Sequence, residues 1–282
     1  MIFILDCAEI GLPLVLKYVF VELCLGLDNV YLISSIDDVP NTDQSVVFLG
    51  DTFRVPNPEQ VLKRVPEARY VGWYWHNIDT RGLKFLHVYE NMLAGTDHRV
   101  AFLQQQKNNC PLLLRAPLNP EFVPELRPEP ELDYCYMGTR YAMDLVPGAQ
   151  YRGIYYSPPT TQQFLPWPRR KEIYLSSRFA LGFQSDDNMI NKHVSQRIYE
   201  GLACGCVVLT NSQPAVEQTN GICIWVGSRA DVEEKMAYYM SNPEAYAQKQ
   251  AEGWAFAKQQ GTTTYAREII WSKLDKIEIE YE

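Results

Sequence analysis

Arg197 and Glu200 stand three residues apart in the stretch Ser195–Thr210, and Gly201 follows directly. Ile198 and Leu202 lie four apart, which predicts a helix with one face on a core. Arg197, Glu200, Gly201 and Cys204 then share another face. Gly205 predicts the helix stop, and Cys206–Thr210 reads as a buried strand. A cation and a carboxylate one turn apart, beside a glycine that leaves room, are the makings of a ligand site. The same spacing also fits a surface i, i+3 ion pair worth about 0.2–0.5 kcal/mol. Spacing alone leaves both open.

The wording of this stretch resembles the nucleotide-sugar-binding segment of GT-B glycosyltransferases, in the group related to the spore-maturation glycosyltransferases. That segment runs arginine, hydrophobic, aromatic, glutamate, as do Arg197, Ile198, Tyr199 and Glu200, then reaches a small residue, a glycine and a buried strand. Gly201 takes the place of the usual alanine. Thr263–Arg267 resembles the family's closing helix without its histidine, and Leu113–Pro124 its interdomain segment.

The resemblance implies an α/β protein of GT-B fold, with two Rossmann-like lobes whose parallel sheets face a central cleft. It implies transfer of a sugar from a nucleoside diphosphate, UDP favoured, to a hydroxyl of an oligosaccharide or glycoprotein glycan. No cofactor is called for. A diphosphate needs arginine forks and the free N–H groups of a helix start, which Ser195, Gln196 and Arg197 supply. Ribose hydroxyls need a carboxylate acceptor, which Glu200 supplies. Retaining members often carry a second glutamate eight residues earlier; Lys192 stands there, which leans towards inversion. The small N-terminal lobe and short chain resemble glycosyltransferases of large DNA viruses of algae, which makes UDP-xylose the first donor to try.

Other residues have two readings each. Gly138 and Arg140 follow a predicted strand, where ligands of parallel sheets collect and the family has a phosphate-side loop; Arg140 also fits a plain surface arginine. Tyr155 and Tyr156 end the next strand and could stack on a base or simply pack. Arg169–Lys171 is a basic helix start, able to approach phosphate or remain solvated. Inversion needs a base for the acceptor proton, which the family takes from its N-terminal lobe. Asp79 and His76 fit best, because Trp73 and Trp75 precede them as walls for an acceptor sugar. Such walls also raise a carboxyl pKa by desolvation. Asp79 capping a turn is the alternative, and Asp6, Glu9 and Asp51 are the other acids after strands.

No two aspartates lie two apart, so the Asp-x-Asp metal signature is missing, and the adjacent pairs Asp37–Asp38 and Asp186–Asp187 point to opposite faces of a strand. His76, His87, His98 and His193 show no ligand spacing, so no metal site is expected. The net charge of −8 argues against nucleic acid or anionic membrane as a partner. Met1–Leu27 is apolar but broken by Asp6, Glu9, Lys17 and Glu22 without a basic start, so neither signal peptide nor membrane span is expected. A cytoplasmic protein follows, and seven scattered cysteines then read as reduced thiols.

These residues must be positioned by alternating strands and helices. Strands are predicted at Ile2–Leu5, Val30–Ile33, Val46–Leu49 and Tyr70–Trp75, with helices over Leu12–Leu25 and Pro58–Val65. Leu83–Gln106 gives no decisive pattern. Pro111–Pro130, with six prolines, reads as an extended linker. A second set follows at Leu132–Tyr136, Tyr151–Tyr155, Phe179–Phe183, Cys206–Thr210 and Ile222–Val226, with helices after Arg229, Pro243 and Thr262. Such alternation predicts parallel sheets covered on both faces. The domains expected are residues 1–117, 118–262 and a final helix at 263–282 that crosses back. One rival is a Rossmann oxidoreductase, although Asp6–Gly11 lacks the Gly-x-Gly-x-x-Gly of that fold. Another is a non-catalytic binding protein on the same fold.

Overall fold

The chain divides into two compact units, Met1–Pro117 with Thr263–Glu282, and Leu118–Thr262. The computed structural model describes residues 2–5, 30–33, 38, 47–51, 69–74, 91–94, 112–113, 124–126, 129–138, 142–157, 165, 167–190, 192 and 194–260. The predicted helices over Leu12–Leu25, Pro58–Val65 and after Thr262 lie outside the described residues.

In the first unit β1 (Ile2–Leu5), β2 (Val30–Ile33), β3 (Val47–Asp51), β4 (Arg69–Tyr74), β5 (Asn91–Ala94) and β6 (Leu112–Leu113) form one parallel sheet, ordered β2-β1-β3-β4-β5-β6. The first four strands lie within two residues of their expected places. β5 comes out of the undecided stretch; four residues that begin with Asn91 are too short for a period to show. β6 corrects the linker expectation at its start. Leu112 and Leu113 pair with Leu93 and Ala94 as an edge strand. An edge needs pairing on one side only and tolerates the flanking prolines. At the carboxyl ends of β3 and β4, Asp51 lies opposite Trp73 in register.

The second unit runs β7 (Leu132–Met137), β8 (Gly153–Tyr156), α1 (Trp167–Leu175), β9 (Ser177–Leu181), α2 (Asp186–Ile190), α3 (Gln196–Ala203), β10 (Val207–Thr210), α4 (Gln213–Gln218), β11 (Ile224–Trp225), α5 (Arg229–Ser241) and α6 (Pro243–Gln260). Its parallel sheet is ordered β11-β10-β9-β7-β8. The chain steps from β7 outward to β8, then returns to the other side of β7 for β9, β10 and β11. The order therefore reverses between β7 and β9, and a sheet of this kind offers its ligand crevice there, at the carboxyl ends of the strands.

Parallel strands buried on both faces read as apolar runs, and all four residues of β10 are buried. Tyr136, Phe179, Leu181, Phe183, Leu209 and Met236 belong to one core cluster. Burying side chains of this size contributes about 1.5–3 kcal/mol each. On α3, Ile198 and Leu202 are buried as their spacing predicts. So are Glu200, Gly201 and Cys204, so the second face is largely closed as well. A Cβ on Gly201 would stand 2.9 Å from Ala180 Cβ, which accounts for glycine where the family has alanine. Gly205 ends the helix in the left-handed region at φ 78°, where its N–H donates to Leu202 and that of Cys206 donates to Gly201. Helix α6 packs behind α3, with Tyr199 and Phe256 stacked at 6.5 Å. Trp254 Nε1 donates to the Pro124 carbonyl at 2.9 Å.

Cys135, Cys204, Cys206 and Cys223 are free and buried. Burial pushes the Cys204 and Cys206 thiols up and the Cys223 thiol up to about 12. A thiol with so high a pKa carries almost no thiolate at pH 8, and the thiolate is the reacting form. In the folded protein, iodoacetamide at pH 8 should leave peptides with Cys204, Cys206 and Cys223 unmodified by mass spectrometry, and label them fully in guanidinium. Labelling of Cys204 in the native state would mean that the back of α3 opens. Among the described residues no helix is long and apolar enough to cross a membrane.

Candidate functional site

Helix α3 begins at the switch point and delivers Arg197 into it. The guanidinium lies against Gly138, just past the end of β7, in the space a Cβ there would need. Its Nη1 donates to the Phe183 carbonyl, past the end of β9, at 3.3 Å and to Tyr136 Oη at 3.5 Å. The ring of Tyr136 lies 5.7 Å from the guanidinium carbon. These bonds are long for a charged donor, and with the described residues they engage only one of the nitrogens of the fork. Arg197 and Gly138, chosen from separate parts of the sequence, thus meet at one point.

Ser195 caps α3 in extended conformation without a side-chain cap bond, and its buried Oγ has no partner among the described residues. Gln196 Nε2 is likewise buried and unpartnered. The helix start therefore adds unengaged polar side chains to the free N–H groups of its first turn. Arg140 lies outside the described residues.

Glu200 is placed differently from the open helix face that its spacing suggested. It is 4% exposed; its Oε1 accepts from Arg170 Nη2 at 2.7 Å and its Oε2 from Tyr174 Oη at 3.3 Å. The surface ion pair with Arg197 is not formed, because Arg170 from α1 takes the carboxylate. Burial and the neighbouring Glu200 charge push the Tyr174 pKa well up, so its hydroxyl stays a donor. The sequence left Arg170 either approaching phosphate or solvated, and its pairing with Glu200 was not among those readings. Its only signal was the basic triplet at 169–171, and nothing local pairs it with a carboxylate thirty positions away.

Tyr155, expected to stack on a base, spends one face on Tyr136, with centroids 4.8 Å apart and planes at 11°. The packing alternative thus accounts for that face, while its buried hydroxyl has no partner among the described residues. Trp73 lies on β4, but Trp75, His76 and Asp79 lie outside the described residues. Among the described residues no group of three His, Cys, Asp or Glu side chains could hold a metal.

Comparison with known proteins gives a concordant result. The model of a family described as glycosyl transferase-like matches residues 120–268. No curated protein matches the chain. Among solved structures, an α-glucosyltransferase in complex with UDP-glucose and DNA is 9% identical, covers 98% of both chains and superposes with a TM-score of 0.67. Anabaena Alr3699/HepE in complex with UDP and glucose is 9% identical, covers 97% of this chain and 99% of its own, and gives 0.65. T4 phage BGT in complex with UDP-glucose is 12% identical over 98% of both chains, with 0.57. At such identities these likenesses concern the fold, which is that of GT-B glycosyltransferases.

Proposed function

Because the chain belongs to the glycosyl transferase-like family, whose model spans more than half of it, we propose that it moves a sugar from a UDP donor to a glycan hydroxyl by direct, inverting displacement. It is a glycosyltransferase, which sets aside the oxidoreductase and the non-catalytic binding protein. The observation that carries the donor reading is the Arg197 guanidinium, lightly held beside Gly138 at the switch point of the second sheet.

In this reading the diphosphate lies across the start of α3. Arg197, Ser195, Gln196 and the first-turn N–H groups hold it, together with the loop from Gly138 to Arg140. As the glycosidic bond breaks, charge grows on the leaving phosphate. Fixed donors aimed at that charge lower the barrier without a metal. The transition state is oxocarbenium-like, as in glycoside hydrolysis. Glu200, oriented by Arg170 and Tyr174, offers remaining lone pairs to the ribose, and Tyr155 lies on the base side. Asp79 with His76 takes the acceptor proton, and Trp73 and Trp75 flank the acceptor. Three structural relatives were solved with UDP or UDP-glucose, and none supports UDP-xylose, so UDP-glucose becomes the first donor to try. One of those relatives holds DNA; here the net charge of −8 weighs against a polyanionic acceptor.

Calorimetric titration with UDP tests the reading, with saturable binding and turnover of UDP-glucose that persists in EDTA as the expected result. Turnover lost on chelation and restored by manganese or magnesium would overturn the metal-independent mechanism, and absence of UDP binding the donor assignment. For the base, Asp79→Asn or His76→Ala should lower kcat roughly 10²–10⁴-fold with donor affinity kept. Near-normal kcat in both would move the role to Asp51, the residue opposite Trp73 in the sheet register, or to Asp6.

A further inference from the structure

On the side of the switch point away from β8, the carboxyl ends of β9, β10 and β11 open on a groove of about 680 Å³. Its walls include Gln184, Asp186, Asn211, Trp225 and Gly227. The backbone there is held firmly. Asn211 Nδ2 donates to the Gln184 carbonyl at 3.1 Å, the Gln184 N–H donates to Asn211 Oδ1 at 2.8 Å, and Thr210 Oγ1 donates to the Gly182 carbonyl at 2.9 Å.

The Gln184 side chain, by contrast, is 3% exposed, and among the described residues neither Oε1 nor Nε2 has a partner. Buried polar groups are nearly always bonded, so an amide with both atoms unmet on a groove wall points to something that meets them. Trp225 is 51% exposed and lies across Gly227, where a Cβ would come within 2.6 Å of its Cη2. Among the described residues the walls carry Asp144 and Asp186 and no lysine or arginine, which disfavours a phosphate. An open indole, a donor–acceptor amide and a carboxylate together match a pyranose ring. Its C–H face packs on the aromatic, and each hydroxyl both donates and accepts.

We infer that this groove is a saccharide subsite, with Trp225 under the C–H face of a sugar ring and Gln184 and Asp186 on its hydroxyls. The assignment rests on the glycosyltransferase reading and extends it to a groove whose described lining does not include Arg197. The ring belongs either to the donor sugar or to the acceptor glycan, and one experiment separates the two.

Trp225→Ala and Gln184→Leu remove the two contacts, and Gly227→Ala keeps the indole but displaces it. Thermal melts check that each variant is folded. Calorimetry then compares UDP with UDP-glucose, and an oligosaccharide array is probed with the protein in the presence of UDP. UDP affinity should stay within about twofold of wild type, while a saccharide-dependent affinity falls about tenfold. If the ring is the donor's, UDP-glucose loses affinity where UDP does not. If it is the acceptor's, UDP-glucose is unaffected and the array signal of the wild type is lost in the variants. Both arms unchanged in Trp225→Ala and Gln184→Leu, or a wild type that holds no saccharide in either arm, overturns the subsite. A wild type that binds neither UDP nor UDP-glucose instead sinks the donor assignment, and the groove is then decided by the array alone.

Discussion

Replacing Arg197 by alanine should lower kcat about 10²–10³-fold and weaken UDP binding, while the melting temperature hardly moves. The three parts of that expectation come from different features of the same side chain. The guanidinium stands at the start of α3 between the ends of β7 and β9, where a diphosphate would lie. Its contact tightens as negative charge gathers on the leaving phosphate, and a contact stronger in the transition state than in the ground state appears in kcat. Its bonds to Tyr136 and Phe183, at 3.5 and 3.3 Å, are too long to hold the lobe together. Stability is therefore nearly indifferent to its loss. Gly138→Ala provides an independent approach to the same point, because the new methyl displaces the guanidinium without removing it. It should reproduce part of the kinetic loss. Normal UDP affinity in Arg197→Ala would move the donor away from this helix.

The sequence showed Arg197 and Glu200 because their spacing within one helix is a local fact, and it showed the alternation of strands because burial on two faces leaves apolar runs. It misplaced what depends on partners far along the chain. Phe179–Phe183 was expected as a strand, but pairing occupies Ser177–Leu181. Hydrophobicity reports burial, and Phe183 is buried beyond the strand end, whereas Ser177 and Arg178 belong to the strand despite their polarity. Tyr151 was likewise included in a strand that begins at Gly153; its hydroxyl is bound to the Glu233 carbonyl on α5. Gln184 and Trp225 gave no signal, since a lone amide and a lone indole at strand ends belong to no motif until the sheet aligns them. The pairing of Arg170 with Glu200 went unread for the same reason.

Arg170 and Glu200 make the second large effect, and it should appear first in stability. Their oxygen and nitrogen lie 2.7 Å apart with the side chains 5% and 16% exposed, so removing either leaves a charge buried without its partner. Glu200→Ala and Arg170→Ala should each cost about 2–4 kcal/mol, which for a lobe of this size lowers the melting temperature by roughly 5–15 °C. A loss of UDP affinity in Glu200→Ala alone therefore proves little, because a loosened α3 would also disturb Arg197 three residues away. The informative variant replaces both partners, Arg170→Met with Glu200→Leu, since exchanging a buried pair for apolar residues of similar volume is often neutral. Its melting temperature should recover most of what the single variants lose, a coupling that a double-mutant cycle measures directly. UDP affinity then isolates the ribose contact. If the carboxylate accepts from ribose hydroxyls, the restabilised variant still binds UDP about 10–100-fold more weakly, as expected for a lost hydrogen bond to a charged group. That is the outcome we expect. Wild-type affinity in the double variant would make Glu200 a buttress of α3 and leave the ribose to another residue.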